Sequence, residues 1–561
     1  MRLSPLFMTT RLTVALLICG ATACAGGDAA AGGGTLILET ATDGGSLFPP
    51  LASQFIQSRA VSEQIFEKLA EMGPGLNTVG DVGFEPRLAK TWTWSRDSLA
   101  LTFHLDPAAK WHDGKSVTSA DVTFGYAVYL DPAVGSSSGP DFLKMLDSVT
   151  ASDSLTVTVW YKRRTPEMFF NFVYGFFPLP KHLLAAVPRD SMRTFAFGRA
   201  PVGNGPFKLV KWDAGSRIEL AAVPDFFRGR AKVDRLIWTV APEASTLVQR
   251  LFAGEADFLE VLSAADVQAA TAHPDVRVVV YPGLGYNYLA FNLHDGASDR
   301  PHPVFGNREL RRALSMAVDR KAMVKNVLDS LGVAGMGPLS HAQWSADTSV
   351  SQIPFDTTAA ARALDSLGWK RSADGMRAKN GRALSFSVIV PSTSKTRVRY
   401  AALLQEQWRL AGVKVDVENL DGKAMTERAS KHSFDSYING LTVSPSPSGL
   451  RQTWTTGGSS ASNAMNTGRY SNSTFDAQVD SALQAVDQKA ARSHYRAAYR
   501  IIVDDAPAIW LYEPGSVAGA HKRLVTGPLR PGTWWTTIAN WSIAPGGRLP
   551  RDAAPRSQEK P

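Results

Sequence analysis

Both cysteines of this chain, Cys19 and Cys24, lie close to its N-terminus. The rest of the chain therefore cannot form a disulfide, nor a zinc or iron–sulfur site with cysteine ligands. It must instead be stabilised by burial of apolar surface, and 44% hydrophobic with 20% charged residues is an ordinary mixture for that purpose. Because 561 residues exceed a single hydrophobic core, we expect two or three packed domains.

The N-terminal segment has the pattern of an export signal. Arg2 and Arg11 provide its positive charge, and an apolar stretch follows at residues 12–18. This stretch is too short to span a bilayer, and no later stretch approaches the about 20 apolar residues that a membrane helix needs. We therefore expect the body of the chain to leave the cytosol.

The residues after the apolar stretch indicate how the signal ends. The run Ala-Thr-Ala-Cys at 21–24 resembles the lipobox of bacterial lipoproteins, in which the cysteine is diacylated and becomes the first residue after cleavage. This resemblance implies that Cys24 carries a lipid anchor. An ordinary secretory signal cleaved near Ala23 is the alternative.

The charge of the chain argues against a nucleic-acid partner. Loss of Arg2 and Arg11 with the signal lowers the formal net charge from +9 to +7, which is modest for this length. The basic residues are dispersed, whereas nucleic-acid binding needs a clustered basic stripe with interleaved aromatic side chains. We therefore expect a solvated basic surface and no nucleic-acid partner.

Alternation of apolar and polar residues predicts several half-buried strands. The clearest runs lie at 99–105 and 155–161. The runs at 207–212 and 217–222 flank Asp-Ala-Gly-Ser, a turn sequence that predicts a hairpin. Strands and helices follow each other without strict alternation, which predicts a mixed α/β fold.

Apolar residues at helical spacing predict helices, several of which have end signals. Thr118 and Asp121 form a capping-box pattern before one of them. Asn307 is a candidate cap for a single helix that covers 310–328 and ends at Gly332. Other predicted helices run from Asp356 to Gly368, over 475–486 and over 490–503.

The sequence contains no constellation typical of catalysis or metal binding. No two of its ten histidines are three or four residues apart, so no helix can present a histidine pair to a metal. Residues 135–139 match the hydrolase pattern Gly-x-Ser-x-Gly around Ser137, but no apolar strand precedes them, and a flexible loop is favoured. The runs at 203–206 and 111–114 are better explained as turns. We predict no catalytic residue, no metal site and no cofactor.

Several short motifs occur in order along the body of the chain. The most specific is Trp-His-Asp-Gly-Lys at 111–115, which joins a strand region at 92–105 to Ala-Asp-Val at 120–122. The other motifs are Leu-Ala at 88–89, Pro-Val-Gly-Asn-Gly-Pro-Phe at 201–207, Gly-Glu-Ala-Asp at 254–257, Phe-Asn at 291–292, the run 311–320, Asp-Ala-Pro at 505–507 and Leu-Tyr at 511–512. Together they resemble the bacterial extracellular solute-binding proteins of family 5, the peptide- and nickel-binding class that serves ABC importers.

The resemblance implies a two-lobed, periplasmic-binding-protein-like fold with three domains and a hinge that closes the lobes over a ligand. It also implies that the motifs are structural. The implied boundaries are a signal peptide at 1–23, a tether at 24–34, a discontinuous domain I at 35–75, 198–288 and 515–543, an inserted domain II at 76–197, a domain III forming the opposite lobe at 289–514, and a disordered tail at 545–561.

The resemblance further implies how a peptide would be held. Peptide-binding members commonly bind the peptide amino terminus through an aspartate in a Gly-Trp-x-x-Asp loop, and Ser444 stands at the matching position here. Dipeptide-binding members bind the carboxylate through an arginine just before a helix. Pro391 falls near that place, although Lys395 or Arg397 could substitute. Both ionic anchors of a free dipeptide are therefore altered, and we expect simple dipeptides to bind weakly.

The cleft lining implied by the resemblance comes from four stretches of the chain. Tyrosine and tryptophan there would offer apolar faces with a polar group for variable side chains. The expected ligand-binding residues are Thr42, Asp43, Phe48, Tyr286, Asn287, Tyr288, Tyr437, Ser444, Arg451 and Trp454.

These observations predict the extracytoplasmic substrate-binding component of an ABC importer. Its expected partners are a peptide or other small solute, the permease and ATPase of the importer, and a membrane reached through lipid on Cys24. We expect a monomer. The alternatives are a binder of nickel, haem or a sugar, a receptor that signals to a sensor partner, and an extracellular hydrolase that uses Ser137.

Overall fold

The computed structural model of the protein describes residues 33–459 and 465–553, so the signal segment and Cys24 lie outside the described residues. Within that part the strands are β1 (Thr35–Thr40), β2 (Ala70–Met72), β3 (Phe84–Pro86), β4 (Ala89–Trp94), β5 (Ala100–Leu105), β6 (Leu146–Ala151), β7 (Thr156–Tyr161), β8 (Phe207–Asp213), β9 (Arg217–Ala222), β10 (Arg235–Val240), β11 (Phe258–Leu259), β12 (Val276–Tyr281), β13 (Gly285–Phe291), β14 (Gly332–Ala334), β15 (Lys370–Arg371), β16 (Arg377–Lys379), β17 (Arg382–Ala383), β18 (Ser385–Pro391), β19 (Lys414–Leu420), β20 (Ser436–Thr442), β21 (Ala508–Pro514), β22 (Ser516–His521), β23 (Leu524–Val525) and β24 (Ser542–Ile543).

The α-helices of the described chain are α1 (Pro49–Ala52), α2 (Ile56–Ile65), α3 (Ser119–Leu130), α4 (Gly139–Met145), α5 (Met168–Gly175), α6 (Lys181–Leu184), α7 (Ala244–Phe252), α8 (Ala264–Ala272), α9 (Arg308–Met316), α10 (Arg320–Val327), α11 (Thr357–Ser366), α12 (Lys395–Leu410), α13 (Gly422–Ser430), α14 (Gly449–Trp454), α15 (Ser473–Gln484) and α16 (Gln488–Asp505). None of the helices in these residues is both long enough and apolar enough to cross a membrane. Short 3-10 helices include Trp534–Asn540 and Pro550–Asp552.

Two large mixed sheets form the centres of two lobes. The sheet of the first lobe has the order β12-β22-β11-β1-β10-β9-β8, and that of the second lobe has the order β14-β21-β13-β20-β18-β19. A smaller antiparallel sheet, β4-β5-β7-β6, shares one continuous hydrophobic core with the first lobe. The mixed α/β, two-lobed architecture confirms the expected fold class. The three-domain boundaries stay a prediction.

The second lobe has a separate core on each face of its sheet. Along β13, Tyr286 and Tyr288 face one core, whereas Leu289 and Phe291 pack in the other. Every residue of β13 is buried. Both faces of β13 are therefore covered, and its buried polar side chain, Asn287, needs a hydrogen-bond partner.

Local signals account for several of the elements. β8 and β9 form the predicted hairpin, in which Gly215 adopts a positive φ of 70°. β5 and β7 pair antiparallel. Thr118 and Asp121 form the expected capping box, and the side chain of Asp356 accepts from the N–H of Ala359 at the start of α11.

The prediction of a single helix over 310–328 is wrong. The structure has two helices, α9 and α10, and Gly332 begins β14. Asp319 makes the break, because its side chain caps α10 by accepting from the N–H of Ala322 at 2.9 Å. Its own N–H donates to the side chain of Gln407 on α12, which fixes the break through a tertiary contact.

The Trp-His-Asp-Gly turn is held by a buried carboxylate. Asp121 accepts from the indole N–H of Trp111 at 3.3 Å and from the N–H of Thr118 at 2.8 Å. Its other oxygen accepts from the N–H of Lys181 at 2.9 Å. The motif therefore joins three segments of the first lobe, in agreement with a structural role.

Chain ends expected to be loose are packed where the structure describes them. The N–H of Gly34 donates to Asp234 at 2.7 Å, so the tether is already ordered there. Asp552 is 6% exposed, accepts from the N–H of Thr35 at 2.8 Å and forms an ion pair with Arg523 at 2.5 Å. Disorder from residue 545 onward was therefore a wrong prediction as far as 553, because this buried ion pair holds the segment.

Candidate functional site

The chain passes between the two lobes twice, and the two passages lie side by side. β12 continues through residues 282–284 into β13, and β21 continues through Gly515 into β22. β12 pairs with β22, and β13 pairs with β21. A Cβ atom on Gly283 would lie 2.4 Å from the carbonyl oxygen of Pro514, so this close approach requires glycine. Such a narrow double connection is one about which lobes can hinge.

A segment of the second lobe braces these passages. The hydroxyl of Ser340 donates to the carbonyl oxygen of Gly283 at 2.9 Å. The N–H of His341 donates to Glu513 at 2.7 Å, and the Nδ1 atom of His341 lies 2.9 Å from the same carboxylate. This side-chain hydrogen bond raises the pKa of His341 above its usual value.

Four of the predicted ligand-binding residues form one aromatic network in the second lobe. The indole N–H of Trp454 donates to the Tyr286 hydroxyl at 3.0 Å, and the hydroxyls of Tyr288 and Tyr437 are 3.2 Å apart. None of the four is more than 4% exposed. Burial raises the pKa of Tyr286 and Tyr288, so both remain protonated. The structure brings these residues together as packed side chains, and their contact with a ligand stays a prediction.

Asn287 points to the opposite face of β13 and meets a cation. Its side-chain oxygen accepts from Nε of Arg397 at 2.9 Å. A Cβ atom on Gly440 would lie within 2.4 Å of both side chains, so this position also needs glycine. Burial raises the pKa of Tyr512 to about 12, although the nearby charge of Arg397 and its hydrogen bond lower this pKa. Arg397, a half-buried residue, therefore contacts β13 near the end that adjoins the passages.

The loop after β20 lacks a charge at its predicted anchor. Ser444 is exposed, and its hydroxyl donates to the carbonyl oxygen of Ser446 at 3.0 Å. Gln343 donates to the carbonyl oxygen of Ser444 at 2.9 Å. The hydrogen bonds of Ser444 itself therefore join neutral groups.

Asp43 is engaged within the first lobe. Its carboxylate accepts from the indole N–H of Trp212 at 2.8 Å and from the N–H of Gly215 at 2.9 Å, at the β8–β9 hairpin. Arg199 lies 3.8 Å away. Thr42 is exposed next to it. Asp43 therefore holds the loop that carries Thr42.

Two predicted residues lie apart from the aromatic network. Phe48 is fully buried in a first-lobe cluster, with its ring centroid 5.3 Å from that of Phe195. It is a core residue, because the loop 40–48 turns its end inward. Arg451 is exposed and pairs with Asp480 at 3.4 Å.

The lobes also touch away from the passages, through residues that the sequence reasoning missed. The indole N–H of Trp344 donates to the Thr78 hydroxyl at 2.9 Å. Thr78 donates to one oxygen of Glu167 at 2.5 Å, and Ser446 donates to the other at 2.7 Å. Val79 is buried in the aromatic core of the second lobe. Since Thr78, Val79 and Glu167 belong to the first lobe, we call this set the interlobe contact.

No motif or periodicity marks these residues in the sequence. Thr78 lies in an irregular segment after β2, and Glu167 comes directly before α5. Their hydrogen bonds join residues 89 and 279 positions apart. Only the path of the chain brings them together.

A cavity of about 460 Å³ adjoins the interlobe contact. α4, α5 and the segment before α5 supply most of its walls, and α15 of the second lobe contributes Leu483. Its lining residues are Ser137, Ser138, Asp141, Phe142, Lys144, Met145, Arg163, Thr165, Pro166, Glu167, Phe170, Asn171, Tyr174, Gly175 and Leu483.

Candidate groups for chemistry have structural partners. The hydroxyl of Ser137 lies 2.9 Å from that of Ser53. Burial lowers the pKa of His112 to about 4, and its Nε2 atom lies 3.0 Å from the carbonyl oxygen of Gly205. Within the described residues, no three histidine, cysteine, aspartate or glutamate side chains cluster as metal ligands would.

Two mixed α/β lobes, joined by two adjacent passages and touching across a cavity, define the class of two-lobed solute-binding proteins. The sequence at residues 83–463 matches the family described as bacterial extracellular solute-binding proteins, family 5. The chain belongs to this family, which confirms the family expected from its motifs.

Similar proteins cover most of the chain. The oligopeptide-binding protein AppA of Bacillus subtilis is 28% identical over 452 residues, which are 80% of this chain and 81% of AppA. Heme-binding protein A of Haemophilus influenzae is 26% identical over 479 residues, 82% of this chain and 84% of that protein. The crystal structure of the ABC transporter substrate-binding protein CtaP from Listeria monocytogenes matches with a TM-score of 0.76 at 23% identity, covering 91% of this chain and 99% of CtaP.

Proposed function

We propose that this chain is the substrate-binding component of an ABC importer and captures a peptide or peptide-like solute between its lobes. The observation that carries the proposal is the pair of adjacent passages in a member of family 5. Closure about such a connection would exclude water from a ligand and strengthen each polar contact. The resemblance to an oligopeptide-binding protein over most of both chains supports a peptide as the ligand class.

Arg397 is the proposed partner of the peptide carboxylate. Arg397 is a half-buried residue whose guanidinium donates to Asn287, a residue near the start of β13. A guanidinium can bind a carboxylate through two parallel hydrogen bonds, which gives both affinity and orientation. Because Ser444 brings no charge, we expect longer peptides to be preferred over free dipeptides.

The first experiment is native mass spectrometry of the protein purified without denaturation. A discrete added mass that yields a peptide sequence after release is the expected result. An added mass that proves to be a metal, a sugar or haem would contradict the peptide assignment.

The role of Arg397 is tested with a copurified or selected peptide and its C-terminal amide. Arg397→Gln should weaken binding of the free acid by at least about tenfold and leave the amide unchanged. Arg409→Gln is the matched control, because Arg409 is an exposed residue of the same helix that pairs with Glu406. Equal binding of acid and amide to the unaltered protein would show that Arg397 does not bind the carboxylate.

The location follows from the family and from the N-terminal sequence. The family consists of extracellular solute-binding proteins. We propose that the mature chain is tethered to the outer face of a membrane by lipid on Cys24, and that it delivers its solute to a permease as a monomer. The lipobox-like run at 21–24 supports this anchor.

Haem is a second candidate ligand. The resemblance to heme-binding protein A, which extends over most of both chains, is the observation that favours it. Titration with hemin, followed by absorption spectroscopy, distinguishes the candidates. Saturable binding with a shifted Soret band would support haem over a peptide.

A further inference from the structure

The carboxylate of Glu167 is held at the boundary between the lobes by one donor from each. Thr78 of the first lobe donates to Oε1 at 2.5 Å, and Ser446 of the second lobe donates to Oε2 at 2.7 Å. Both donors are neutral hydroxyls. They orient the carboxylate without balancing its charge.

Glu167 has no cationic partner within the part of the chain that the structure describes. Among the residues that the structure describes, no lysine, arginine or histidine forms an ion pair with Glu167 or shifts its pKa. Burial raises the pKa of Glu167 above its usual value. Burial disfavours the charged form of a carboxyl group, and a cation bound beside it would restore that form by an ion pair.

The cavity next to Glu167 has room for that partner. It measures about 460 Å³, and its lining includes Phe170 and Asn171 of the first lobe and Leu483 of the second lobe. A carboxylate has about four acceptor positions, of which Thr78 and Ser446 occupy two. The remaining positions can accept N–H donors from a ligand.

The two cationic side chains that line this cavity, Lys144 and Arg163, are exposed to solvent. Lys144 pairs with Asp141 at 3.6 Å, and each side chain is 79% exposed. Arg163 is exposed as well. Neither forms an ion pair with Glu167, so no cationic side chain of the described cavity lining balances this carboxyl group.

We propose that Glu167 and the adjoining cavity bind a cationic group of the solute, a primary ammonium or a guanidinium. The carboxylate forms an ion pair with the cation, and Thr78 and Ser446 keep it in position. Since one of these donors comes from each lobe, a cation bound at Glu167 also strengthens the contact between the lobes. This inference goes beyond the proposed function, which leaves the charge of the solute open, and it does not require the solute to be a peptide.

The test uses isothermal titration calorimetry with the full mature chain and single compounds. The probes are an alanine pentapeptide with a free amino terminus and an amidated end, blocked pentapeptides with a central lysine, arginine or leucine, and putrescine. We expect saturable binding of at least one cationic probe and weaker binding of the leucine peptide. Glu167→Gln keeps the size and hydrogen-bonding capacity of the side chain, and it should weaken cation binding by at least about tenfold.

Glu427→Gln serves as the control, because Glu427 is an exposed carboxylate of α13 that pairs with Lys431. A circular-dichroism melt of each variant establishes that it is folded. The inference is overturned if no cationic probe binds at millimolar concentration, if Glu167→Gln leaves cation binding unchanged, or if the leucine peptide binds as tightly as the lysine and arginine peptides.

The same data separate this inference from the proposed function. Glu167-dependent binding of putrescine, without binding of any peptide, would keep the cation site and contradict the peptide proposal. Peptide binding that is equal in the unaltered protein and in Glu167→Gln would keep the peptide proposal and overturn the cation site.

Discussion

The Nδ1 atom of His341 lies 2.9 Å from Oε1 of Glu513, beside the second passage between the lobes. The hydrogen bond raises the pKa of His341, although partial burial acts in the other direction. A histidine with a raised pKa contributes stability that is complete below its unfolded value of about 6.5 and is lost as the pH rises through the folded value. Alkaline pH should therefore weaken the bracing of the passages.

Replacement of this histidine should make stability less dependent on pH. We expect the unfolding temperature of the unaltered protein to fall further than that of His341→Gln as the pH rises above about 6.5. Differential scanning fluorimetry across a pH series measures the unfolding temperatures of the two proteins. His104→Gln, which changes an exposed histidine of β5, should follow the unaltered protein. Parallel curves for the unaltered protein and His341→Gln would contradict the assignment.

Gly283→Ala should strain the first passage. Its Cβ atom would lie 2.4 Å from the carbonyl oxygen of Pro514, so the strands must move apart. We expect destabilisation of about 1–3 kcal/mol, as is usual for overpacking, measured by urea unfolding. Gly422→Ala is the control, since nothing lies within 4 Å of the added atom. Equal stabilities of the two variants would show that the close approach is not maintained in solution.

Val79→Ser should loosen the interlobe contact. Val79 is 5% exposed within the core of the second lobe, and burial of a valine contributes about 1.5–3 kcal/mol. The variant is expected to show a larger radius of gyration by small-angle X-ray scattering. Val82→Ser is a close control, because Val82 is 76% exposed in the same loop. A radius unchanged in both variants would mean that Val79 does not hold the lobes together.

Asp552→Ala should destabilise the first lobe. The change leaves one side of Arg523 unpaired, and the side chain of Arg523 is 3% exposed. Removal of one partner from a buried ion pair costs about 3–5 kcal/mol, to be measured by chemical unfolding. Asp416→Ala, at an exposed pair with Lys414, should cost no more than about 1 kcal/mol. A cost for Asp552→Ala as small as that of the control would indicate that residues 545–553 are not packed in solution.

Cys24→Ser should release the protein from membranes. The thiol is the acylation point in the lipobox-like run, so serine removes the anchor while the export signal remains. Fractionation of cells that express either form measures the membrane-bound share. Cys19→Ser should leave the protein membrane-bound. Continued attachment of Cys24→Ser would favour a different mode of retention.

Short-range patterns predicted the local elements well. The spacing around Thr118 and Asp121 predicted a capped helix because cap and first turn are contiguous in sequence. The helix over 310–328 was predicted as one piece because its apolar residues keep their period through the break. The cap at Asp319 depends on Gln407, which no local window contains.

The site was predictable only in part. Tyr286, Tyr288 and Tyr437 lie together because they share one face of the neighbouring strands β13 and β20, and Trp454 of α14 packs on that face. Phe48 shows the limit of such reasoning. Whether an aromatic ring faces a cleft or a core depends on the residues that pack against it. Phe195 packs against the ring of Phe48, which therefore lies in a core.

The sequence by itself determined the family, the mixed α/β class and the lack of disulfides in the body, because these follow from residue types at short, fixed spacings; the export signal stays a prediction. Tertiary structure alone decided that the lobes touch at Glu167 and that no cationic side chain of the described residues pairs with it. The donors to that carboxylate are 89 and 279 residues away along the chain. Contacts over such distances depend on how whole lobes fold and meet, and no local pattern encodes them.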